Sequence, residues 1–121
     1  MTQTRGYVTT HVLDTARGSP AAGLEIDVFR IDGDNRQVLR RMQTNDDGRC
    51  DSPVIQCGEL SIGSYELLFH GGAYLRSLAL PAAPDGFLDE VPIRFWVQDA
   101  DQHYHVPLLL SPFGYTTYRG S

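Results

Sequence analysis

Tyr7–Leu13 (YVTTHVL) alternates in character. Read as a strand, it puts Val8, Thr10 and Val12 on one face and Tyr7, Thr9, His11 and Leu13 on the other. Leu24–Ile31 (LEIDVFRI) opens in the same way, with Leu24, Ile26 and Val28 predicted inward and Glu25 and Asp27 outward. Asp32-Gly33-Asp34-Asn35 then turns the chain into a hairpin partner over Val38–Thr44. Gly18-Ser19-Pro20 reads as a loop, and Asn45-Asp46-Asp47-Gly48 as a turn whose glycine suits a left-handed position, delivering Arg49 at a loop edge. Further strands are predicted over Tyr65–His70, Val91–Asp99 and His103–Ser111, with a short terminal one over Tyr115–Arg119. Ala73–Leu80 (AYLRSLAL) lacks the period of two and is rich in helix formers, which predicts one short helix ended by Pro81. Around eight short strands and one small helix make an all-β protein, a two-sheet antiparallel β-sandwich.

Composition narrows the chemistry. A chain of 121 residues, 41% hydrophobic and 21% charged, is ordinary globular material for one domain over residues 1–121, with enough core to fold without disulfides or a metal. All ten basic residues are arginine, so Schiff-base chemistry, covalent pyridoxal phosphate and a phosphate-loop lysine are excluded. The net charge is −5 and the arginines form no stripe, so no nucleic-acid partner is expected. No apolar run approaches the roughly 20 residues of a membrane helix, and no signal-like stretch precedes Tyr7, so the expectation is a cytoplasmic protein with no membrane partner. Cys50 and Cys57 have six residues between them and no second pair, which predicts two buried or half-buried free thiols.

Four histidines are present, and His103-Tyr104-His105 places two imidazoles on one strand face with Tyr104, Val106 and Leu108 on the other. Such a pair suits proton transfer near neutral pH or metal binding, and it is also met as two hydrogen-bonded surface histidines. Only His11 and His70 could add further imidazole ligands, and no carboxylate falls at a recognisable ligand spacing, so neither a metal nor a cofactor is expected. Tyr118-Arg119-Gly120-Ser121 follows an apolar strand and carries a phenol, a guanidinium and a hydroxyl, unlike the bland composition of fraying termini.

Several segments together resemble one family. They are Thr10-His11-Val12-Leu13-Asp14-Thr15 with Gly18-Ser19-Pro20-Ala21, Thr44-Asn45-Asp46-Asp47-Gly48-Arg49, and the run from His103 through Pro112 into Tyr118-Arg119-Gly120-Ser121. The chain is similar to the urate-degrading branch of the transthyretin-like family, the 5-hydroxyisourate hydrolases, from about Tyr7 to Ser121. Phe87–Phe95 also looks like bacterial members, and Trp96 and the Pro81–Gly86 linker are local variation. The resemblance implies a transthyretin-like sandwich assembled as a homotetramer with sites at the dimer–dimer interface. It also implies a cofactor-free hydrolysis of 5-hydroxyisourate to 2-oxo-4-hydroxy-4-carboxy-5-ureidoimidazoline. By motif position, His11, Arg49 and His105 match the family's catalytic set and Tyr118, Arg119, Gly120 and Ser121 its substrate-binding terminus, while the role of His103 and the choice of base between His11 and His105 stay open. The alternatives from other classes are a ligand carrier, suggested by Val12–Asp14 and Arg17–Ala21, and a small metalloprotein built on His103 and His105. The carrier branch lacks the His11, Arg49 and His105 set and the Tyr-Arg-Gly-Ser ending.

Overall fold

The computed structural model describes residues 4–78 and 87–121. In chain order these contain β1 (Tyr7–Asp14), β2 (Ser19–Pro20), β3 (Glu25–Asp32), β4 (Asn35–Gln43), β5 (Gly63–Phe69), α1 (Gly71–Ser77), β6 (Val91–Val97), β7 (His103–Leu110) and β8 (Tyr115–Thr117). The strands form two four-stranded sheets, ordered β2-β1-β7-β8 and β4-β3-β5-β6. Their inner faces interdigitate through fully buried side chains such as Val8, Val12, Ile26, Val28, Leu67 and Leu108. The alternation along β1 is complete, with Val8, Thr10, Val12 and Asp14 buried and the residues between them half-exposed.

The predicted sandwich is therefore present, with differences that bear on the site. One pairing is parallel rather than antiparallel: β1 and β7 run side by side with Tyr7 opposite His103 and Thr9 opposite His105. Parallel neighbours need a long crossover, and here the whole second sheet and α1 lie between them in the chain, which no local turn signal announces. Ser19 and Pro20, predicted as loop, pair with Asp14 and Leu13 as a two-residue edge strand. The helix starts at Gly71, two residues before the predicted Ala73, because the glycines are needed for close packing rather than for a turn. A Cβ on Gly72 would come within 2.6 Å of Asp89 Oδ1. Its predicted end at Leu80 and Pro81, and the Pro81–Gly86 linker, lie outside the described residues.

Asp27 was predicted to face outward, yet it is buried. It does point away from the core, but Arg41 Nε donates to its Oδ1 at 2.6 Å and His70 Nε2 lies 2.9 Å from its Oδ2, and these side chains cover it. Desolvation pushes this carboxyl up, but the bonds and charges of Arg41 and His70 outweigh it and hold Asp27 below the usual carboxylate range. Both cysteines are free as expected, Cys50 half-buried but Cys57 exposed on a loop where its thiol donates to the Arg5 carbonyl.

Candidate active site

Three segments far apart in sequence meet on the outer face of the β2-β1-β7-β8 sheet. The first is β1, whose outward positions include Tyr7, Thr9 and His11. The second is β7, whose outward positions include His103 and His105. The third is the turn before Arg49. There, Asn45 Oδ1 accepts from the Asp47 and Arg49 amides, and Gly48 adopts φ 74° with its carbonyl accepting from Val12 N at 2.8 Å. A Cβ on Gly48 would lie 2.3 Å from the Val12 carbonyl oxygen, so both the backbone angle and the close approach to β1 require glycine. The turn sets Arg49 beside His11, to which it is joined by an isolated backbone bridge.

The end of the described chain closes the site. Beyond β8 it continues along β7, and Gly120 N donates to the His105 carbonyl at 2.8 Å. A Cβ on Gly120 would press on the His105 ring at 2.5 Å from Cδ2, so glycine lets the backbone lie flat against the imidazole. The result is a cleft of about 340 Å³ lined by Tyr7, Thr9, Thr10, Arg49, Cys50, His103, His105 and Ser121. Thr9 Oγ lies 2.7 Å from His103 Nε2 and 2.8 Å from His105 Nδ1, and the His103 ring stacks on Tyr7 at 4.3 Å between centroids.

Electrostatics favour neutral imidazoles here. Burial, then the Arg49 guanidinium, then the neighbouring histidines push the His105 pKa below its ordinary 6.5. His11 is lowered by burial and by Arg49, against an opposing pull from the backbone and carboxylate of Asp47. Both rings can thus accept a proton at neutral pH. Cys50 cannot serve as a nucleophile, because burial and Asp51 push its thiol up to about 11 and leave it protonated.

The structure brings His105, Arg49 and Ser121 into one cleft and sets His11 against Arg49 at its border. It does not bring Tyr118 and Arg119 there. They line a larger groove of about 800 Å³ with Trp96 and Tyr104 on its walls, and Arg119 stacks over the Tyr104 ring at 4.3 Å while donating to Gln102 Oε1 and the His103 carbonyl. In this chain Arg119 fastens the terminal segment against β7. His103 and His105 line the smaller cleft, whereas the larger groove is lined by none of the histidines. His70 lies between β5 and α1, on the side of the other sheet, bonded to Asp27, and among the described residues no three His, Cys, Asp or Glu side chains gather as a metal site. Thr9 and Tyr7 are the site residues that the sequence reading passes over. Their signal is the alternation of β1, which puts them on the same face as His11.

The protein is an all-β sandwich of two four-stranded sheets that carries imidazoles and a guanidinium on one outer sheet face. The chain belongs to the HIUase/Transthyretin family, whose sequence profile matches residues 8–120. It is 55% identical over 116 residues to 5-hydroxyisourate hydrolase 2 of Rhizobium meliloti, covering 96% of this chain and 97% of that protein. Its fold matches the solved structure of Klebsiella pneumoniae 5-hydroxyisourate hydrolase with a TM-score of 0.78 at 27% identity, over 100% of this chain and 98% of the other. It matches an (S)-allantoin synthase structure with a TM-score of 0.89 at 40% identity, where 98% of this chain spans 44% of that longer one.

Proposed function

We propose that this protein is a 5-hydroxyisourate hydrolase acting in urate degradation, a single domain over residues 1–121 that opens the six-membered ring of its substrate by adding water to a ring amide carbonyl. The observation that carries the reading is the convergence of His105, Arg49 and Ser121 on one cleft in which the imidazole is held neutral. Water gives a proton to His105 as its oxygen bonds to the carbonyl carbon. Arg49 faces the oxygen that gains charge, and collapse breaks the carbon–nitrogen bond as the imidazolium returns the proton to the departing nitrogen. The products are a carboxylate and a ureido group, and no cofactor enters the balance. His105 is favoured over His11 as the base because its ring lines the cleft, whereas His11 is not among the lining residues and pairs with Arg49 through the backbone. Ser121 orients the flat, heteroatom-rich ring.

The assembly in this reading is a homotetramer with sites at the dimer–dimer interface. It is supported by the placement of the cleft on an open sheet face and by the exposure of Trp96, Phe113 and Tyr118 at and near the open edges β6 and β8. In such an assembly Tyr118, which faces away from the cleft of its own chain, is free to meet a neighbouring copy. No helix among the described residues is long and apolar enough to cross a membrane, and a cytoplasmic location belongs to the proposal.

Purified protein added to urate and urate oxidase is expected to speed the decay of the intermediate's ultraviolet absorbance; an unchanged decay rejects the reading. Two further outcomes follow. Since burial and Arg49 both lower the histidine pKa values, the acid limb of the rate profile should have its midpoint below 6.5. A rate profile with its acid limb above 6.5 would contradict a neutral imidazole base held down by a cation. Gly120→Ala should push the His105 ring aside and lower kcat by roughly 10–100-fold, the scale of a misplaced catalytic group, with a small change in Tm.

A further inference from the structure

One contact in the cleft does more than line it. Thr9 presents a single hydroxyl to two ring nitrogens, His103 Nε2 at 2.7 Å and His105 Nδ1 at 2.8 Å. A hydroxyl has one proton, so it can donate to only one of the two rings and must accept from the other. The two facing nitrogens are therefore forced into opposite states, one carrying a proton and the other a lone pair. Two arrangements satisfy the chain. In the first, His103 Nε2–H donates to Thr9, Thr9 donates to His105 Nδ1, and His105 keeps its proton on Nε2. In the second, His105 Nδ1–H donates to Thr9, Thr9 donates to His103 Nε2, and the His105 Nε2 lone pair is free. Only the second makes His105 a base toward the cleft.

The geometry points to Thr9 as a positioning residue that holds His105 in the Nδ1-protonated tautomer, with His103 as the terminal acceptor that orients the Thr9 hydroxyl. This rests on the reading of His105 as the base for water. The sheet register and a ring stack frame the hydrogen-bond chain. Thr9 is opposite His105 and Tyr7 opposite His103 in the β1–β7 register, and the His103 ring is stacked on Tyr7 with an interplanar angle of 14°. When water's proton moves to His105 Nε2, the Nδ1 proton stays in place and its bond to Thr9 becomes a charge-assisted one, so the interaction strengthens as the imidazolium forms. No proton needs to travel along the chain. The arrangement also assigns a part to His103, whose exposed ring otherwise lies outside the reaction.

The test uses Thr9→Val, which keeps the branched shape suited to a strand and removes the hydroxyl. Its kcat is expected to fall about tenfold, the scale of one hydrogen bond gained on the way to the transition state, with KM little changed. Thr9→Ser should restore kcat to near the parent value. His103→Phe, which keeps a ring to stack on Tyr7 and removes the acceptor, should lower kcat in the same direction, and it serves if Thr9→Val does not fold. Nitrogen-15 spectra of the imidazoles in the resting protein should find the His105 proton on Nδ1, and on Nε2 in Thr9→Val. Parent-like kcat in both Thr9→Val and His103→Phe, failure of Thr9→Ser to rescue, or a His105 proton on Nε2 in the parent protein each overturns the assignment. The spectra need no substrate. Protein with the Nδ1 tautomer but no action on 5-hydroxyisourate would therefore overturn the functional reading while upholding the hydrogen-bond chain.

Discussion

His105→Ala is expected to lower kcat for 5-hydroxyisourate by about 10²–10⁴-fold, the range for loss of a positioned general base. The ring is half-buried on an outer sheet face rather than in the sandwich core, so its removal opens little cavity and Tm should change slightly. The informative comparison is between kcat and Tm measured on the same preparation. If the variant lost stability in proportion to activity, His105 would be a structural histidine of β7 and the base would have to be sought elsewhere on the same face, with His11 the first candidate.

Arg49→Ala should cost about 10²–10³-fold in kcat, the scale of removing one oxyanion donor. Its effect reaches further than one contact, because the guanidinium also helps to keep His11 and His105 neutral. Removing it takes away a cause that lowers both pKa values, so the acid limb of the rate profile should move to higher pH, toward the ordinary 6.5. Burial, the larger cause for both rings, stays in place and keeps the limb from going beyond it. Arg49→Lys separates the two effects. A lysine ammonium still repels the imidazolium and holds the limb down, but it lacks the planar fork and should recover only part of kcat. A variant with the parent limb and the parent kcat would remove Arg49 from the mechanism.

Much of this arrangement is written into local sequence. The alternation in Tyr7–Leu13 and in His103-Tyr104-His105 assigns each ring to a sheet face because a period of two leaves no other choice once Val8, Val12, Val106 and Leu108 must go inside. The Asn45-Asp46-Asp47-Gly48 turn announces a left-handed glycine in its residue types, and Arg49 follows from it. What is not legible is which strands become neighbours. Nothing near Thr9 says that it will lie across from His105, since that depends on a parallel pairing closed over the entire second sheet. Asp27 escapes the alternation for a related reason. Its burial comes from Arg41 on β4 and from His70 beyond β5, two side chains that only the folded sheet brings over it. Arg119 likewise belongs to a segment that the sequence marks as functional, but its stacking on Tyr104 depends on the path that the chain takes after β8.

The pairing of β1 with β7 also sets the order in which the protein can become competent. The contact between Thr9 and His105 spans 96 positions of sequence, so a large loop must close before either ring has its partner. The outward face of β1 is therefore incomplete until β7 is paired with it. β7 supplies the second wall of the cleft, and the terminal segment adds Ser121 to its lining while Gly120 bonds to the His105 carbonyl. When unfolded protein is diluted into buffer, turnover should accordingly return no earlier than the β1–β7 pairing, which parallel time courses of activity and circular dichroism would check.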